Sequence, residues 1–430
     1  MIVWICNPFD NLPIEGYRPQ RYWLMSQAFA RAGHEVVLWS SDFSHALKRK
    51  RIVSKEHLLE AAKQIGPDAR LVLVPTLAYK RNISFARIRS HRAFSKSWKH
   101  QALRLVSRGL ISKPDAIIVS SPPLSLAPQA LELKEEFECK VVIDIQDAWP
   151  ETFYRVLPLP KKFREKIGSF LFARTLRTSH RALCAADAVT AAARRYLATT
   201  EKIAPPAQKR MLCHLGIQLP PHFLGPAQFL SRKLPFGANR NFQLVYVGTM
   251  GKSYDLKTVI RAVRDIPGVE LHLAGAGPDE KELRLEAKPC RRIFFHGYLR
   301  AAEIRTLLLK SDAAVIPMFP DSYVGLPGKT ADYAAAGLPV INSLGGETAY
   351  LVEKYSCGVK YEAGSVPSFK DAFLKLAASA DVFNSMRANA LKMAKMEFDA
   401  DSLYDGYAAF VEDLFPQSPA EEFSQDEEDI

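Results

Sequence analysis

The sequence predicts an α/β protein with two domains, each a mostly parallel sheet covered by helices, that face each other across a cleft. Short apolar runs alternate with helical patterns over nearly the whole chain, which is typical of parallel α/β layers. A Pro-rich stretch interrupts this alternation, and a chain of 430 residues is too long for one ordinary core. We therefore predict a first domain at 1–218, a linker at 219–240 and a second domain at 241–398.

Both domains are predicted to begin with a buried strand, and further strands follow at the spacing of βα units. In the first domain the predicted strands are Ile2–Cys6, Val36–Trp39, Leu71–Val74, Ala116–Ser120, Val141–Ile145 and Ala188–Thr190. In the second domain they are Phe242–Val247, Val269–Ala274, Ile293–Phe295, Ala313–Pro317 and Pro339–Ile341. Predicted helices include Arg18–Ala32, Arg164–Ala186 and Ser402–Phe415, and the last of these is expected to pack back on the first domain. The acidic end, 416–430, is predicted to be disordered.

The composition is that of a soluble globular protein, with 48% hydrophobic and 24% charged residues. No apolar run reaches the ~18 residues that a spanning helix needs, and the first residues predict a buried strand rather than a signal peptide. The six cysteines are scattered singly, without a CxxC or a Cys/His cluster, which favours reduced thiols and disfavours a metal site. These features predict a cytoplasmic protein.

Much of the positive charge lies in one segment, Lys80–Lys113, which holds ten Lys or Arg residues and no acidic residue in a chain of net charge +12. The apolar residues interleaved with them are Ile83, Phe85, Ile88, Phe94 and Trp98. A basic amphipathic segment with aromatic residues predicts contact with an anionic membrane surface. The alternative is a solvated helix whose aromatic residues pack on the core. Nucleic acid is disfavoured as a partner because no nucleic-acid-binding module surrounds the segment.

The segment Ser322–Glu347 combines a Gly/Pro-rich loop with the start of a helix. Gly328, Lys329 and Thr330 stand at that start, and Asp332 follows on the first turn. Helix N-termini attract phosphate, whereas a Lys in the first turn is disfavoured by about 0.3–1 kcal/mol unless an anion lies there too. The pattern predicts an anion site, with an ordinary loop and a solvated Lys as the alternative.

Three further loops follow successive predicted strands of the second domain, and each contains glycine. Ligands of open parallel sheets lie beyond the carboxyl ends of the strands. We therefore predict that these loops converge with Lys329 and Asp332 on a nucleotide-diphosphate pocket. The loop residues assigned to this pocket are Gly248, Thr249, Lys252, Gly275, Gly277, Pro278, His296, Gly297 and Tyr298.

The loop after the first strand is a candidate for binding a second substrate. It carries Glu15, Gly16 and Arg18 and leads into the helix that contains Arg21. Glycine lets the backbone approach a ligand, and a helix start favours an anion. The spacing does not match that of dinucleotide binders, and a plain turn is the alternative.

A second candidate stretch is the predicted strand at Val141–Ile145, which runs into carboxylates and a tryptophan. Asp147, Trp149 and Glu151 lie beyond the carboxyl end of this strand, where they would form a substrate-binding lip. The alternative is that Asp147 or Glu151 caps the next helix. Asp144, still inside the strand, fits a hydrogen-bonded core acid.

Other patterns disfavour competing chemistries. Asp399-Ala400-Asp401 has the DxD spacing of metal-dependent sugar transferases, but it precedes a helix, where Asp is an ordinary cap. Neither GxSxG nor HExxH occurs, so hydrolases of those kinds have no support.

Taken together, the motifs resemble the GT4-type retaining glycosyltransferases of GT-B fold, and the resemblance covers nearly the whole chain. The motifs that carry it are the opening strand, the Gly16 loop, Arg31–Val36, Asp147–Glu151, Val245–Gly248, Gly275–Pro278 and Ala335–Val340. Asp147–Glu151 is similar to the D-x-W-P-E of enzymes that build bacterial surface polysaccharides. The resemblance implies two Rossmann-like domains, the first binding an acceptor and the second a nucleotide-sugar donor.

The family signature contains a Glu, seven intervening residues and a second Glu. Here the second position is Asp332, which the resemblance places against the nucleotide ribose, while the first position is Val324. Some branches carry a Pro-x-Lys ahead of the second acid, and Pro327-Gly328-Lys329 matches that pattern. In the loop that usually supplies Arg and Lys to the diphosphate, only Lys252 is basic.

The implied reaction is sugar transfer with retention at the anomeric carbon, without a metal ion or another cofactor. Lys329, Lys252 and helix N-termini would stabilise the leaving diphosphate, and Asp147 would contact the substrate or act as a base. The resemblance favours a UDP-sugar over a GDP-sugar donor, and a lipid-linked or polysaccharide acceptor at the inner face of the cell membrane. Two alternatives are a GT-B sugar-nucleotide epimerase and, because of Val324, a nucleotide-sugar-binding protein without turnover.

Overall fold

The computed structural model describes residues 1–82, 84–149, 154, 160–219, 240–320, 322 and 324–416, and it contains two parallel sheets. The strands of the first half are β1 (Ile2–Cys6), β2 (Glu35–Ser41), β3 (Phe43–Ser44), β4 (Arg49–Lys50), β5 (Arg70–Val74), β6 (Ala116–Ser121), β7 (Lys140–Ile145), β8 (Ala188–Ala191) and β9 (Lys209–Leu212). Seven of them form the first sheet in the order β5-β2-β1-β6-β7-β8-β9, and β3 pairs with β4 as a small antiparallel hairpin.

Helices cover both faces of this sheet. They are α1 (Arg21–Arg31), α2 (Lys55–Lys63), α3 (Phe85–Ser107), α4 (Leu126–Phe137), α5 (Lys161–Leu171), α6 (Ala173–Ala185) and α7 (Arg194–Glu201). Successive residues of β1 point to opposite faces, as the two-residue period of a strand requires. Val3 and Ile5 belong to one buried cluster, and Trp4 and Cys6 belong to the other. This sandwich explains why β1 is an uninterrupted apolar run.

The second half repeats the architecture with six parallel strands in the order β12-β11-β10-β13-β14-β15. These strands are β10 (Phe242–Val247), β11 (Val269–Ala274), β12 (Ile293–Gly297), β13 (Ala313–Ile316), β14 (Val340–Asn342) and β15 (Gly358–Lys360). The helices are α8 (Leu256–Asp265), α9 (Glu280–Ala287), α10 (Ala301–Lys310), α11 (Lys329–Ala335), α12 (Gly346–Lys354), α13 (Val366–Leu376), α14 (Ala380–Glu397) and α15 (Ala400–Glu412). The predicted α/β class with two parallel sheets is confirmed.

The last helix, α15, packs against α1 of the first half. Tyr404 and Tyr407 are fully buried there, in the same cluster as Phe29 of α1. Asp399 stands at the N-cap position of α15, and its carboxylate accepts a hydrogen bond from the hydroxyl of Ser402 at 2.9 Å. The DxD motif therefore lies at the start of this docking helix. Among the described residues, no group of three His, Cys, Asp or Glu side chains is arranged to hold a metal ion.

All three predicted helices differ from the observed ones, and the one predicted at Ser402–Phe415 is observed at Ala400–Glu412. The helix predicted at Arg18–Ala32 begins only at Arg21, after an extended residue at Gln20. The helix predicted at Arg164–Ala186 is two helices, α5 and α6, because the backbone of Phe172 leaves the helical region with φ −100° and ψ 9°. The edge strands β9 and β15 escaped prediction because they are short and neither one is buried. The predicted tail at 416–430 lies, apart from residue 416, outside the described residues.

The basic segment Lys80–Lys113 contains the long helix α3, and its main aromatic residues face inward. Phe94 and Trp98 are fully buried in the first core, where the Trp98 ring lies 6.4 Å from that of Trp39. These two residues therefore pack on the core, as the alternative predicted. Among the described aromatic residues of the segment, only Phe85 at the helix start is strongly exposed. Ile83 lies outside the described residues. No helix in the described part of the chain is both long and apolar enough to span a bilayer.

Candidate functional site

Three glycine loops meet at the carboxyl edge of the second sheet, as predicted. The backbone N–H of Gly248 donates to the carbonyl of Ala274 at 2.9 Å, and that of Met250 donates to Ala276 at 3.0 Å. The N–H of Gly275 donates to the carbonyl of Gly297 at 2.7 Å. The loops after β10, β11 and β12 are thus joined by backbone hydrogen bonds into one surface.

This close joining requires glycine at two positions. A Cβ atom at Gly275, whose φ is +126°, would lie 2.0 Å from the carbonyl oxygen of Gly248. A Cβ atom at Gly277 would lie 2.1 Å from the carbonyl oxygen of Met250. Since no side chain fits in either place, the floor of this edge is made of backbone, which can approach a ligand closely.

Lys329, the first residue of α11, projects its amine into this floor. The Nζ atom is buried and has no hydrogen-bond partner among the described residues. It lies 4.0 Å from the ring centroid of Tyr246 and 4.4 Å from that of Tyr254. A Cβ atom at Gly248 would come within 2.7 Å of the amine, so this glycine leaves the space that the lysine occupies.

Burial lowers the pKa of Lys329 to about 7, because the charged amine has lost its water. The two tyrosine faces offset part of this loss, by ~0.5–2 kcal/mol for a typical cation–π contact. The amine still lacks an acceptor. An unpaired buried ammonium is costly, and an anion bound over the glycine floor would supply the missing partner.

The helix that carries Lys329 is fixed to β10. The hydroxyl of Tyr333 accepts a hydrogen bond from the backbone N–H of Val247 at 2.8 Å. The hydroxyl of Tyr246 donates to the carbonyl of Thr249 at 2.6 Å. Thr330 is buried, and its hydroxyl has no partner among the described residues. Gly328 caps the helix at the surface.

The remaining predicted donor residues lie at the same edge with exposed side chains. Lys252 is exposed and forms no hydrogen bond or ion pair with another described residue. Pro278 is exposed in the loop after β11. A ring nitrogen of His296 lies 3.0 Å from one of His272, and Tyr298 is exposed beyond the end of β12.

Residues predicted to bind different substrates touch each other across the cleft. The guanidinium of Arg18 forms a two-point ion pair with the carboxylate of Asp332, with one N–O distance of 3.1 Å. The pair is partly solvated, since the Arg18 side chain is 55% exposed and that of Asp332 is 25% exposed. Next to it, partial burial together with the charge and hydrogen bond of Tyr298 raises the pKa of Tyr17. Tyr17 and Arg18, two consecutive residues of the first domain, thus both contact the second domain.

The base of the cleft is held by further hydrogen bonds from α7. The carboxylate of Glu347 accepts from the backbone N–H of Arg194 at 2.7 Å and lies 2.9 Å from a ring nitrogen of His214. The hydroxyl of Tyr196 accepts from the backbone N–H of Gly325, in the loop that precedes Lys329. These contacts fix the position of the anion loop relative to the first sheet, and single-sequence patterns did not predict them.

On the first-domain side, Asp147 holds the turn after β7. Its carboxylate accepts from the backbone N–H of Ala148 at 2.8 Å and from the indole N–H of Trp149 at 3.0 Å. The Trp149 ring lies 4.8 Å from the guanidinium of Arg87 and 5.3 Å from the ring of His91. Glu151, the third member of the predicted lip, lies outside the described residues.

Arg87 and His91 also lie at this candidate site, beside Trp149, and the sequence analysis singled out neither residue. They lie four residues apart on one face of α3, a spacing that is visible in the sequence but was attributed to the basic segment as a whole. Burial, followed by the charges of Arg87 and His45, lowers the pKa of His91 to about 3. His91 is therefore neutral at physiological pH and presents a flat aromatic surface to Trp149.

Two of the residues predicted to bind the acceptor, Glu15 and Gly16, hold the loop after β1 in its conformation. The carboxylate of Glu15 binds the Nε atom of Arg51 at 3.0 Å and accepts from the backbone of Leu12. Gly16 closes the short turn at Pro13–Glu15 with a φ of +79°, which is the plain-turn alternative.

Arg21, also predicted to bind the acceptor, has a buried guanidinium that is fully engaged by other residues of the protein. It forms a two-point ion pair with Asp144, with both N–O distances at 2.8 Å. Its third nitrogen donates to the carbonyls of Cys213 and His214. Asp144 is accordingly the hydrogen-bonded core acid that the sequence suggested.

Comparisons with known proteins agree with this architecture. Residues 241–379 match the family model described as "Glycosyl transferases group 1". No curated protein sequence matches the chain.

Solved structures match over almost the whole chain. Sucrose-phosphate synthase from Thermosynechococcus elongatus is 14% identical, with a TM-score of 0.69 and coverage of 96% of this chain and 99% of that one. Anabaena Alr3699/HepE in complex with UDP-glucose is 13% identical, with a TM-score of 0.63 and coverage of 96% and 100%. WaaG, a glycosyltransferase involved in lipopolysaccharide biosynthesis, is 12% identical, with a TM-score of 0.60 and coverage of 95% and 99%. Identities this low establish the fold alone: the chain has the GT-B fold, and its second domain is similar to the group 1 glycosyltransferases.

Proposed function

We propose that the protein is a glycosyltransferase that binds a nucleotide-sugar donor on its second domain and transfers the sugar to an acceptor held by the first. The observation that carries this proposal is the buried, unpartnered amine of Lys329 beneath a floor of glycine backbone. A diphosphate bound there would give the amine its missing partner. The family match over residues 241–379 supports the same function.

The donor is proposed to be a UDP-sugar. Anabaena Alr3699/HepE, which shares the fold, has been solved with UDP and with UDP-glucose. The resemblance places the ribose at Asp332, whose carboxylate is paired with Arg18 in this structure. Donor binding would therefore exchange the Arg18 contact for the ribose hydroxyls. An exposed pair of this kind is worth only ~0–1 kcal/mol, so the exchange costs little.

The positive charge for the leaving diphosphate would come from Lys329, with Lys252 at the exposed edge. No metal ion is required in this proposal. Transfer would proceed with retention at the anomeric carbon, with Asp147 contacting the substrate or acting as a base beside Trp149. The acceptor is proposed to be a lipid-linked or polysaccharide glycan at the inner face of the membrane, with a sugar ring stacked on Trp149.

Slow donor hydrolysis tests this proposal without a known acceptor. When UDP-glucose and UDP-N-acetylglucosamine are followed by proton NMR, we expect UDP release and free sugar that appears first as the α-anomer. Water then takes the place of the acceptor, and retention preserves the α-configuration of the donor. Lys329→Met is the matched negative control, since it removes the charge that stabilises the leaving group.

Three outcomes would contradict the proposal. Initial release of the β-anomer would exclude retention. A 2-epimer of the donor without release of UDP would favour the epimerase. Tight donor binding without turnover, with water or with any added glycan, would favour the binding protein that Val324 suggests.

A further inference from the structure

Helix α5 carries a stripe of exposed apolar side chains. Phe163 is 45% exposed, Ile167 36%, Phe170 80% and Leu171 60%. Their spacing of four, seven and eight residues from Phe163 places all four on one face of the helix. A soluble protein seldom leaves such a face uncovered, so the stripe marks a surface for interaction.

Another side of the same helix is packed against the protein. Gly168 is buried, and a Cβ atom there would lie 2.3 Å from the ring of Tyr154. On its glycine side the helix therefore packs closely against Tyr154. The apolar stripe lies on a different side of the helix from Gly168.

Positive charge surrounds the stripe. The segment 161–185 contains seven Lys or Arg residues and one acid, Glu165. Lys162 and Lys166 are exposed on α5 and lie beside the stripe on the helical wheel. Three exposed arginines extend this positive charge along α6 and form, with the lysines, a basic ridge; they are Arg174, Arg177 and Arg181. An apolar stripe between basic residues is the pattern of a helix that lies in a membrane interface.

A cavity of about 670 Å³ opens beside the stripe, between α3, α4 and the α5–α6 corner. Leu171 of the stripe and Trp149 of the candidate acceptor lip both line it. Its basic residues are Arg92, Lys96 and Arg174, and these three form no ion pair with a described acidic residue. The cavity thus combines unpaired cations with apolar walls, which suits the phosphate headgroup of a lipid.

We propose that this surface docks the protein on an anionic lipid bilayer, with the α5 stripe among the acyl chains and a lipid phosphate in the cavity. Charge complementarity selects a bilayer over a second copy of the chain, because a two-fold contact would place identical basic ridges opposite each other. The contact differs from the one predicted for Lys80–Lys113: α3 contributes Arg92 and Lys96, while α5 supplies the apolar residues. It also places the bilayer beside Trp149, where a membrane-bound acceptor would reach the cleft.

Vesicle flotation tests the proposal on the full chain without any donor or acceptor. We expect the protein to float with vesicles of equal parts phosphatidylglycerol and phosphatidylcholine and to stay behind with phosphatidylcholine alone. The double variant Phe170→Glu, Leu171→Glu is expected to lower partitioning into the vesicles about tenfold or more, because it replaces two exposed apolar side chains that would enter the bilayer with two negative charges. Leu285→Glu is the matched control, since Leu285 is equally exposed (60%) on α9 of the second domain.

A second variant tests the basic residues separately from the apolar stripe. The double variant Arg174→Glu, Arg177→Glu is expected to bind anionic vesicles more weakly and with a smaller dependence on salt concentration, while its melting temperature stays unchanged. The proposal is overturned if wild-type protein does not float with the anionic vesicles, or if both double variants float as wild type does. It is also overturned if size-exclusion chromatography shows a dimer that the stripe variant dissociates. Because the assay uses no nucleotide sugar, its failure is separate from failure of the proposed glycosyl transfer.

Discussion

Replacing Lys329 by methionine is expected to weaken UDP binding about 10- to 150-fold, equivalent to the ~1.5–3 kcal/mol of a hydrogen bond to a charged group. The amine is the one buried cation found at the glycine floor in the described structure, and it has no acceptor there. Methionine fills similar space between Tyr246 and Tyr254 without the charge. Isothermal titration calorimetry with UDP gives the affinity of both proteins.

The same variant separates binding from folding. The folded-state pKa of Lys329 is about 7, below its ordinary value of 10.5. Between pH 7 and pH 10.5 the unfolded chain binds more protons than the folded one, so the stability of the folded state rises with pH over this range. Below about pH 7 the amine is charged in both states, and its burial destabilises the folded state. Lys329→Met is thus expected to leave the melting temperature of the free protein equal or higher while UDP affinity falls.

Donor affinity should also depend on pH. Binding of a diphosphate requires the protonated amine, so in wild type the affinity is expected to fall as pH rises above about 7, with proton uptake on binding. Lys329→Met should lose this dependence. Lys281→Met, an exposed lysine on α9, is the matched control and should titrate as wild type does. Equal UDP affinity in wild type and Lys329→Met would remove the lysine from the donor site.

Replacing Arg21 by methionine is expected to destabilise the protein by about 3–5 kcal/mol, because it leaves the buried carboxylate of Asp144 without its partner. Burial alone would raise the pKa of Asp144, but Arg21 and the hydroxyls of Thr190 and Tyr22 hold it below 3.8. The contribution of this carboxylate to stability is therefore present above pH 3.8 and is lost as pH falls through the folded-state pKa. At neutral pH the variant retains a buried charge.

Urea unfolding followed by circular dichroism measures the effect. The double variant Arg21→Met, Asp144→Asn is expected to recover much of the loss, since the unpaired charge is removed with it. Arg31→Met breaks the exposed pair with Asp405 and should cost at most about 1 kcal/mol. A loss of under about 1 kcal/mol for Arg21→Met would contradict the structural role and reopen the question of a ligand contact.

The sequence was sufficient for the parts of the structure that depend on local patterns. Apolar runs predicted the buried strands, because a strand between two helical layers is apolar on both faces. The glycine loops at Gly248, Gly275 and Gly297 were predicted to converge, since consecutive parallel strands end at one edge. Lys329 was predicted at this edge because a lysine in the first turn of a helix is unfavourable unless an anion binds beside it.

Contacts between residues that are distant in the sequence could not be predicted from local patterns. Arg18 and Asp332 are 314 positions apart, and nothing local indicates that they form a pair. Arg21 pairs with Asp144, 123 positions away, and its place at a helix start gave no sign of this pair. The stripe of α5 became visible only through exposure, because an apolar face looks the same in sequence whether it is buried or free.

We propose above all that a nucleotide diphosphate binds at the glycine floor beside Lys329. A thermal-shift panel of UDP, GDP, ADP and CMP and their sugar conjugates, with and without EDTA, tests it most directly. A nucleotide at ~100 times its dissociation constant stabilises the folded state by ~2.7 kcal/mol, which is a measurable shift. We expect UDP and UDP-sugars to stabilise the protein, and we expect EDTA to leave this stabilisation unchanged. Stabilisation by none of the nucleotides would contradict this proposal.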